Sequence, residues 1–341
     1  MVLSRIKNIL FVGIFLCAGF ACRKDIMIPK PLPFYTGADV SWLTEMEASG
    51  KKFLSRENVP TDLFALLKTY HMDVIRLRIW VDPPDGYNSL QDVLAKAQRA
   101  QQAGFEIMLD FHYSDSWADP GKQNKPARWA NTTLPALADS VREYTVATLN
   151  AFKTKGLNIS WVQIGNEIND GLLWPEGRAT TSFTNLTQLT NEGYTAVKKV
   201  MPATPVIIHL SDGDKMDLFK WFFTNFFKAG GKCDVIGLSL YPTVENWKET
   251  VEKYKQNAQY IINEFHRPVY LVEFGMPHDA PTDTYYAIRD LYSLREALKD
   301  NFLGMLYWEP ECYAGWKGYT KGAFDDNGVP TAALDAFLVT E

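Results

Sequence analysis

The chain has 341 residues, of which 46% are hydrophobic, and no Pro-, Gly- or Ser-rich linker divides it. This length and composition favour one large domain of about 300 residues with a buried core. The formal net charge is −5 and Lys and Arg form no stripe, so we expect no nucleic-acid partner. A neutral ligand fits this balance better, and we expect a monomer.

The N-terminal 22 residues have the layout of a signal peptide. Basic residues precede an apolar run from Ile9 to Leu16, which is too short to cross a hydrocarbon core of about 30 Å. Small residues then lead to Cys22, as in a bacterial lipoprotein signal. We expect lipidation of Cys22 and a tether over residues 23–33, which are rich in Lys and Pro. Such a lipoprotein would lie at the cell surface or on the periplasmic side of the outer membrane; simple secretion is the alternative.

From residue 35 onward, short apolar runs alternate with longer amphipathic ones, which is typical of repeated βα units around a parallel sheet. Eight runs predict strands, namely Tyr35 to Ser41, Val74 to Trp80, Phe105 to His112, Trp161 to Glu167, Pro205 to Leu210, Val235 to Tyr241, Val269 to Glu273 and Gly304 to Trp308. Helices are predicted over Leu90 to Ala103, Leu134 to Lys155, Leu186 to Val200, Leu218 to Lys228, Trp247 to Glu264, Thr284 to Leu298 and Thr331 to Leu338. Residues 34–341 therefore predict a single α/β domain, a (β/α)8 TIM barrel. A doubly wound open sheet is the alternative.

The active face of such a barrel lies at the C-terminal ends of its strands. Polar and aromatic residues gather at those ends, namely Asp39, Ser41, Arg76, Arg78, Trp80, Asp110, His112, Tyr113, Asp115, Asn166, Glu167, His209, Asp212, Tyr241, Glu273, Trp308 and Glu309. Three connections after strands are long, which usually indicates function. They carry Trp117, Trp129, Trp174, Tyr313, Trp316 and Tyr319. Such rings can pack on the apolar C–H faces of sugars; the alternative is that they only pin the loops to the barrel.

Two glutamates stand at the tips of the fourth and seventh predicted strands, Glu167 and Glu273. Because these strands face each other across a barrel mouth, we expect the two carboxyl groups to meet in one pocket. Carboxyl groups about 5 to 5.5 Å apart cleave glycosidic bonds with retention of the anomeric configuration. The pair therefore predicts a retaining glycoside hydrolase, while a loop salt bridge is the alternative for either glutamate alone.

The neighbours of the two glutamates predict different roles. Asn166, adjacent to Glu167, can hydrogen-bond a sugar 2-hydroxyl in the transition state. Arg76 and Tyr241 are expected to donate to Glu273 and keep its carboxylate ionised. Glu167 would then be the acid/base, with a pKa raised by the neighbouring negative charge, and Glu273 the nucleophile.

His112 and His209 fall at equivalent places on two strands, and we expect both to hydrogen-bond substrate hydroxyls. A metal site that combines them with Asp110 or Asp212 is the less favoured alternative, because the sequence has no HxH or HExxH spacing. We therefore expect no metal and no cofactor. Further substrate contacts are predicted for Asp115, Trp117, Trp308 and Trp316.

Three further side chains have predicted partners inside the barrel. Arg78 and Asp110 are expected to form a buried structural pair, and Asp39 is expected to touch either substrate or Arg76. Cys233 should precede one strand and Cys312 should follow another, at opposite ends of the sheet, so both thiols are expected to be free.

Several stretches resemble glycoside hydrolase family 53, the endo-β-1,4-galactanases. They are GADVSWL (37–43), RLRIW (76–80), DFHYSDSWADPGKQNKPARW (110–129), VQIGNEINDGLLWPEG (162–177), DVIGLSLYP (234–242), VEFGMP (272–277) and MLYWEPE (305–311). The resemblance covers essentially the whole mature chain. It implies a retaining enzyme that cuts the β-1,4-galactan of type I arabinogalactan, a pectin side chain, with Glu167 as acid/base and Glu273 as nucleophile.

The chain departs from the family pattern at a few places. Met276 and Cys312 stand where aromatics are frequent, and Leu240 replaces a frequent Tyr, which affects individual sugar subsites. The segment Met276 to Thr284 lacks the DxDxHxN calcium motif of bacterial relatives, so no calcium is expected there. Two other functions remain open: a retaining barrel hydrolase acting on another β-1,4-glycan such as mannan, and a non-catalytic surface glycan-binding lipoprotein.

Overall fold

The computed structural model describes residues 34–338, and its central feature is a closed barrel of eight parallel strands. The barrel strands are β1 (Tyr35–Asp39), β2 (Val74–Ile79), β3 (Glu106–Phe111), β4 (Trp161–Ile164), β7 (Val206–Leu210), β8 (Val235–Leu240), β9 (Val269–Phe274) and β10 (Phe302–Trp308). The short strands β5 (Gly171–Leu172) and β6 (Gly177–Arg178) pair as an antiparallel hairpin outside the barrel. Since β1 pairs with both β2 and β10, the sheet has no edge. The predicted (β/α)8 barrel is confirmed and the open sheet is wrong.

Helices follow the strands in chain order. They are α1 (Leu43–Ala48), α2 (Leu63–Thr69), α3 (Leu90–Gln102), α4 (Leu134–Thr154), α5 (Phe183–Val200), α6 (Met216–Lys228), α7 (Trp247–Phe265), α8 (Pro281–Leu298) and α9 (Ala332–Asp335). The sequence analysis missed α1 and α2, which have six and seven residues and are too short to show a clear helical period. Asp62, whose side chain caps the N-terminus of α2, was the available signal.

Two apolar clusters hold the barrel together. The larger packs the helices against the outer face of the sheet. The smaller lies inside the barrel, because Trp161 on β4 packs against Tyr35 and Tyr270, whose strands are not neighbours of β4. Its buried members are Val74, Met108, Trp161, Ile207, Val235, Tyr270, Val272 and Leu306. This apolar floor supports the polar residues at the C-terminal ends of the strands.

The predicted signal peptide, the lipidation site at Cys22 and the tether over 23–33 lie outside the described residues. No helix within residues 34–338 has the length and apolarity that a membrane span requires. Cys233 and Cys312 are both buried free thiols, as predicted.

Gly37 on β1 approaches the neighbouring strand too closely for any side chain. A Cβ added there would lie 1.9 Å from the carbonyl oxygen of Val74. We predict that Gly37→Ala lowers the free energy of unfolding by about 2 to 3 kcal/mol, because the backbone of β2 must move. Urea unfolding followed by circular dichroism measures this loss. The matched control is Gly121→Ala, whose Cβ would meet only the Asp119 side chain at 3.4 Å; equal losses in both variants would contradict the steric explanation.

Candidate active site

Glu273 reaches the barrel interior because β9 contains a bulge. The pairing of β8 with β9 passes from Leu238 and Leu271 directly to Ser239 and Glu273, which leaves Val272 as an extra residue on β9. Val272 belongs to the interior cluster, so regular alternation would turn the next side chain outward. The bulge instead directs Glu273 inward, where it is 4% exposed.

Glu167 stands on a turn directly after β4. Its φ is +46°, in the left-handed region that side-chain-bearing residues rarely adopt. Its backbone N–H donates to His209 Nδ1 at 3.3 Å, and its carbonyl accepts from the Asn169 N–H at 2.9 Å. These bonds hold a conformation that costs about 1 to 3 kcal/mol. They place the partly exposed Glu167 side chain at the barrel mouth.

The Arg76 guanidinium ties residues from four other strands together. Its Nη1 lies 2.7 Å from Asp39 and 2.9 Å from Glu273, and its Nη2 lies 2.9 Å from Asp110 and 3.1 Å from Gln163. Arg76 is 1% exposed. Burial opposes its charge, but the three carboxylates outweigh that effect and raise the pKa of Arg76. The predicted contact of Arg76 with Glu273 is confirmed. Asp39 contacts Arg76, which was one of its two predicted partners.

Both carboxyl oxygens of Glu273 have a donor. Tyr241 donates its hydroxyl proton to Oε2 at 2.6 Å, and Arg76 contacts Oε1 at 2.9 Å. Burial raises the pKa of Glu273 to about 7, against the opposing effects of Arg76 and Tyr241. Both predicted donors are therefore present, but Glu273 is less acidic than the sequence analysis expected because burial outweighs them.

The surroundings of Glu167 raise its pKa. Burial raises the pKa of Glu167 well above its ordinary value, the Glu273 charge raises it further, and a hydrogen bond from Ser239 lowers it. That hydroxyl donates to Glu167 Oε1 at 2.8 Å. The direction agrees with the prediction, although burial is the largest cause. Glu273 contacts a guanidinium and a phenol hydroxyl, whereas Glu167 accepts from the hydroxyl of Ser239. Because a cation favours the ionised form, the pair can hold a carboxylate at Glu273 and an acid at Glu167.

His209 fixes the orientation of the Ser239 hydroxyl. Burial lowers the pKa of His209 well below its ordinary value, so its ring is neutral. Since Nδ1 accepts the backbone N–H of Glu167, the ring proton resides on Nε2. Nε2 lies 2.7 Å from Ser239 Oγ and donates to it, which leaves the hydroxyl proton of Ser239 for Glu167.

The nitrogens of His112 are also occupied within the protein. Nδ1 accepts from Trp80 Nε1 and from the backbone N–H of Ala118, each at 3.2 Å, and Nε2 lies 3.0 Å from Asp110. His112 and His209 are therefore placed behind the site. This arrangement corrects the prediction that both rings reach substrate hydroxyls.

Arg78 pairs with Glu309 and not, as predicted, with Asp110. Its guanidinium lies 4.2 Å from the ring centroid of Trp117, a favourable cation–π distance. Asp110 is instead 2.9 Å from Arg76, and its other oxygen accepts from an amide at 2.6 Å. The predicted pair fails because the Asp110 carboxylate is already saturated.

Partly exposed aromatic rings line the mouth beside Glu273. The ring centroid of Trp308 lies 6.5 Å from that of Tyr241 and 5.9 Å from that of Trp117. Trp316 is partly exposed on the loop that follows β10. These rings are partly exposed to solvent, and their predicted contacts with substrate stay predictions.

Three other side chains singled out in the sequence contact the loops of the protein. Both carboxyl oxygens of Asp115 accept backbone N–H groups, from Asp82 at 2.9 Å and Ala127 at 2.8 Å. Trp129 and Tyr313 are 5% and 8% exposed. The predicted contact of Asp115 with substrate stays a prediction, and the loop-pinning alternative applies to these two rings.

Among residues 34–338, possible metal-ligand atoms come within 4.8 Å of one another in the cluster of Glu309, Glu311 and Cys312. Arg78 pairs with Glu309. Burial, and next the Glu309 charge, raise the pKa of Glu311 well above its ordinary value, so Glu311 holds a proton. A protonated carboxyl beside a guanidinium–carboxylate pair suits a cation poorly.

Two site residues escaped the sequence analysis. Gln163 accepts from Arg76 and donates to Asp110 at 2.6 Å, and Ser239 bonds Glu167. Each is a polar residue within an otherwise apolar strand. Since buried polar groups need partners, that interruption was the signal that could have found them.

A (β/α)8 barrel that presents two carboxyl groups with different hydrogen-bond donors at its mouth, beside partly exposed tryptophans, has the construction of a glycoside hydrolase. The model of glycosyl hydrolase family 53 matches residues 35–337. The chain belongs to this family, which confirms the resemblance seen in the sequence.

Relatives and solved structures agree with this assignment. A probable arabinogalactan endo-β-1,4-galactanase A of Aspergillus tubingensis is 33% identical over 327 residues, which cover 89% of this chain and 90% of the relative. A fungal β-1,4-galactanase structure superposes with a TM-score of 0.83 at 27% identity, over 90% of this chain and 99% of the other. The family 53 catalytic domain of Ignisphaera aggregans gives a TM-score of 0.82 at 31% identity, over 90% and 98%.

We predict that Ser239→Ala raises the pKa of Glu167, because the variant loses a hydrogen bond that stabilises the carboxylate. The alkaline limb of kcat/KM should move upward by about one pH unit, since that limb reports deprotonation of the acid in the free enzyme. The measurement is a pH profile of hydrolysis against the parent protein. Ser211→Ala, which removes a 2.6 Å hydrogen bond to Asp212, is the matched control; a downward shift for Ser239→Ala would contradict this role.

Proposed function

We propose that the protein is a retaining endo-β-1,4-galactanase that hydrolyses the β-1,4-galactan side chains of pectin, the type I arabinogalactan. The observation that carries the proposal is the pair Glu167 and Glu273 at the barrel mouth, in which Glu273 contacts Arg76 and Tyr241 and Glu167 accepts from the Ser239 hydroxyl. The substrate assignment is supported by the relatives, among them the arabinogalactan endo-β-1,4-galactanase A of Aspergillus niger, 32% identical over 298 residues. That match covers 81% of this chain and 85% of the relative.

In the first step, the Glu273 carboxylate attacks the anomeric carbon while Glu167 gives its proton to the departing glycosidic oxygen. The bond to the leaving sugar breaks and an ester bond to Glu273 forms. Arg76 and Tyr241 hold the attacking carboxylate at 2.9 and 2.6 Å.

In the second step, Glu167 accepts a proton from water, which attacks the same carbon and releases Glu273. Two inversions give net retention. The Ser239 hydroxyl stabilises Glu167 in its ionised form, so Glu167 can alternate between acid and base.

Asn166 is placed to bind the substrate between these groups. Its Oδ1 accepts from Arg76 at 2.9 Å, and one hydrogen of its Nδ2 goes to the Ala118 carbonyl at 2.9 Å. The second Nδ2 hydrogen is the donor we assign to the sugar 2-hydroxyl. Trp117, Trp308 and Trp316 are assigned to the faces of sugar rings, and export with a lipid anchor at Cys22 remains part of the proposal.

Replacing either glutamate tests the assignment of roles. Glu273→Ala should lower kcat on galactan by on the order of 10⁵-fold. Glu167→Ala should lower it by about 10² to 10⁴-fold, but much less on aryl galactosides, whose leaving groups need little protonation. Steady-state kinetics on both substrates measure this, and equal losses of Glu167→Ala on both would contradict the acid assignment.

The same preparations separate the alternative functions. Reducing-sugar release from galactan, mannan and xylan distinguishes the polysaccharides, and activity on mannan but none on galactan would overturn the substrate assignment. A parent protein that binds galactan with no more turnover than Glu273→Ala would instead be the glycan-binding lipoprotein. Initial release of the β-anomer, followed by NMR, tests retention.

We predict a bell-shaped pH profile for kcat/KM. Catalysis needs Glu273 ionised, so activity should fall as the pH drops through the Glu273 pKa of about 7. It also needs Glu167 protonated, so activity should fall again as the pH rises through the raised pKa of Glu167. An acid limb near pH 4.5, the ordinary value for a glutamate, would show that burial does not control Glu273.

A further inference from the structure

A second cavity opens on the protein surface beside the active face. Its volume is about 670 Å³, and it is lined by Val244, Glu245, Trp247, Lys248, Asp283 and Tyr286. We call these six residues the rim site. The volume falls within the range of about 300 to 1,000 Å³ that small-ligand sites occupy.

The rim site exposes apolar side chains to solvent. Large hydrophobic side chains are exposed at five places among residues 34–338, and two of them, Val244 at 37% and Tyr286 at 55%, lie here. Trp247 adds a third apolar side chain, which is partly exposed. Its indole N–H donates to Asp283 at 3.2 Å, so the ring is held in place without a ligand. Pre-fixed aromatic faces bind at low entropic cost.

The polar groups of the rim site suit hydroxyls better than a charged ligand. Glu245 and Asp283 carry negative charge and Lys248 carries positive charge, so the lining offers acceptors and a donor with little net field. Lys248 Nζ lies 5.4 Å from the Trp247 ring centroid. Aromatic faces bordered by mixed polar groups match a neutral sugar chain.

The rim site continues directly from the active site. Tyr241, which donates to Glu273, begins the connection from β8 to α7 that carries Val244, Glu245 and Trp247. Asp283 and Tyr286 lie in the first turns of α8, which follows β9 and its Glu273. The lining residues of the rim site therefore follow the two strands that carry Tyr241 and Glu273.

We propose that the rim site binds a distant part of the same neutral β-galactan chain, away from the bond that is cut. This inference rests on the proposed function. It explains how an endo-acting enzyme could hold a long polymer while short fragments leave.

The test measures binding and hydrolysis separately. The first measurement is affinity electrophoresis in galactan, with Glu273→Gln present in all proteins to prevent cutting. Tyr286→Ala should bind galactan with a Kd about threefold to tenfold weaker than the protein that keeps Tyr286. With Glu273 intact, Tyr286→Ala should lose a similar factor in kcat/KM on polymeric galactan and less than about twofold on a galactotriose, which is too short to span both places. Trp221→Ala, an exposed ring on α6 at 38%, is the matched control and should change nothing.

Three outcomes of these measurements would separate the possible roles of Tyr286. If folded Tyr286→Ala is retained by galactan as strongly as the protein that keeps Tyr286, the proposed rim site is wrong. If Tyr286→Ala loses equal factors of kcat/KM on the polymer and on the trisaccharide, Tyr286 belongs to the catalytic cleft, and the proposal is also wrong. Trp247→Ala provides a second variant, used if its thermal midpoint stays near that of the parent. If the parent cuts no galactan but Tyr286→Ala loses galactan retention, the rim site stands and the proposed function fails.

Discussion

The Arg76 guanidinium is the interaction on which the barrel mouth depends. It sits above the apolar floor and contacts carboxylates from three other strands, Asp39, Asp110 and Glu273. In a medium of low dielectric constant these carboxylates would otherwise repel one another. Removing one partner of such a buried network costs about 3 to 5 kcal/mol. The same cation therefore secures the ends of the strands and orients Glu273, which couples stability to function at one residue.

Charge balance explains why protons remain at the mouth. Two buried guanidiniums, those of Arg76 and Arg78, face more carboxyl groups than they can neutralise, namely Asp39, Asp110, Glu167, Glu273, Glu309 and Glu311. Burial is the largest cause that raises the pKa of Glu167 and of Glu311, and the negative charge of a neighbouring glutamate raises each further. The pKa values of Glu167 and Glu311 are both raised well above the ordinary value. A protonated acid beside an ionisable carboxylate is thus a consequence of the surrounding network and not of either glutamate alone.

Backbone strain is also present at the barrel mouth. Four residues just beyond barrel strands have positive φ, namely Tyr113, Glu167, Asp212 and Glu309. Together with the bulge on β9, these turns bend the chain sharply as it leaves the barrel. Such conformations persist where the surrounding structure fixes them. The helices and the apolar core hold these turns rigidly. The barrel mouth can therefore keep its side chains at hydrogen-bond distance, which a flexible loop could not do. The rim site extends this face along the connection after β8.

Much of this protein could be read from its sequence. Parallel strands buried on both faces appear as apolar runs, and their polar ends marked Glu167 and Glu273 together with the donors Arg76 and Tyr241. Those features are local, so the order of residues suffices to find them. The sequence could not assign the partner of Arg78, because several carboxylates compete for two guanidiniums across the barrel. It also could not show the bulge on β9, since alternation predicts an outward Glu273, or the commitment of both histidines to buried neighbours. These features depend on distances between residues far apart in the chain, which packing of the closed barrel fixes and local patterns do not encode.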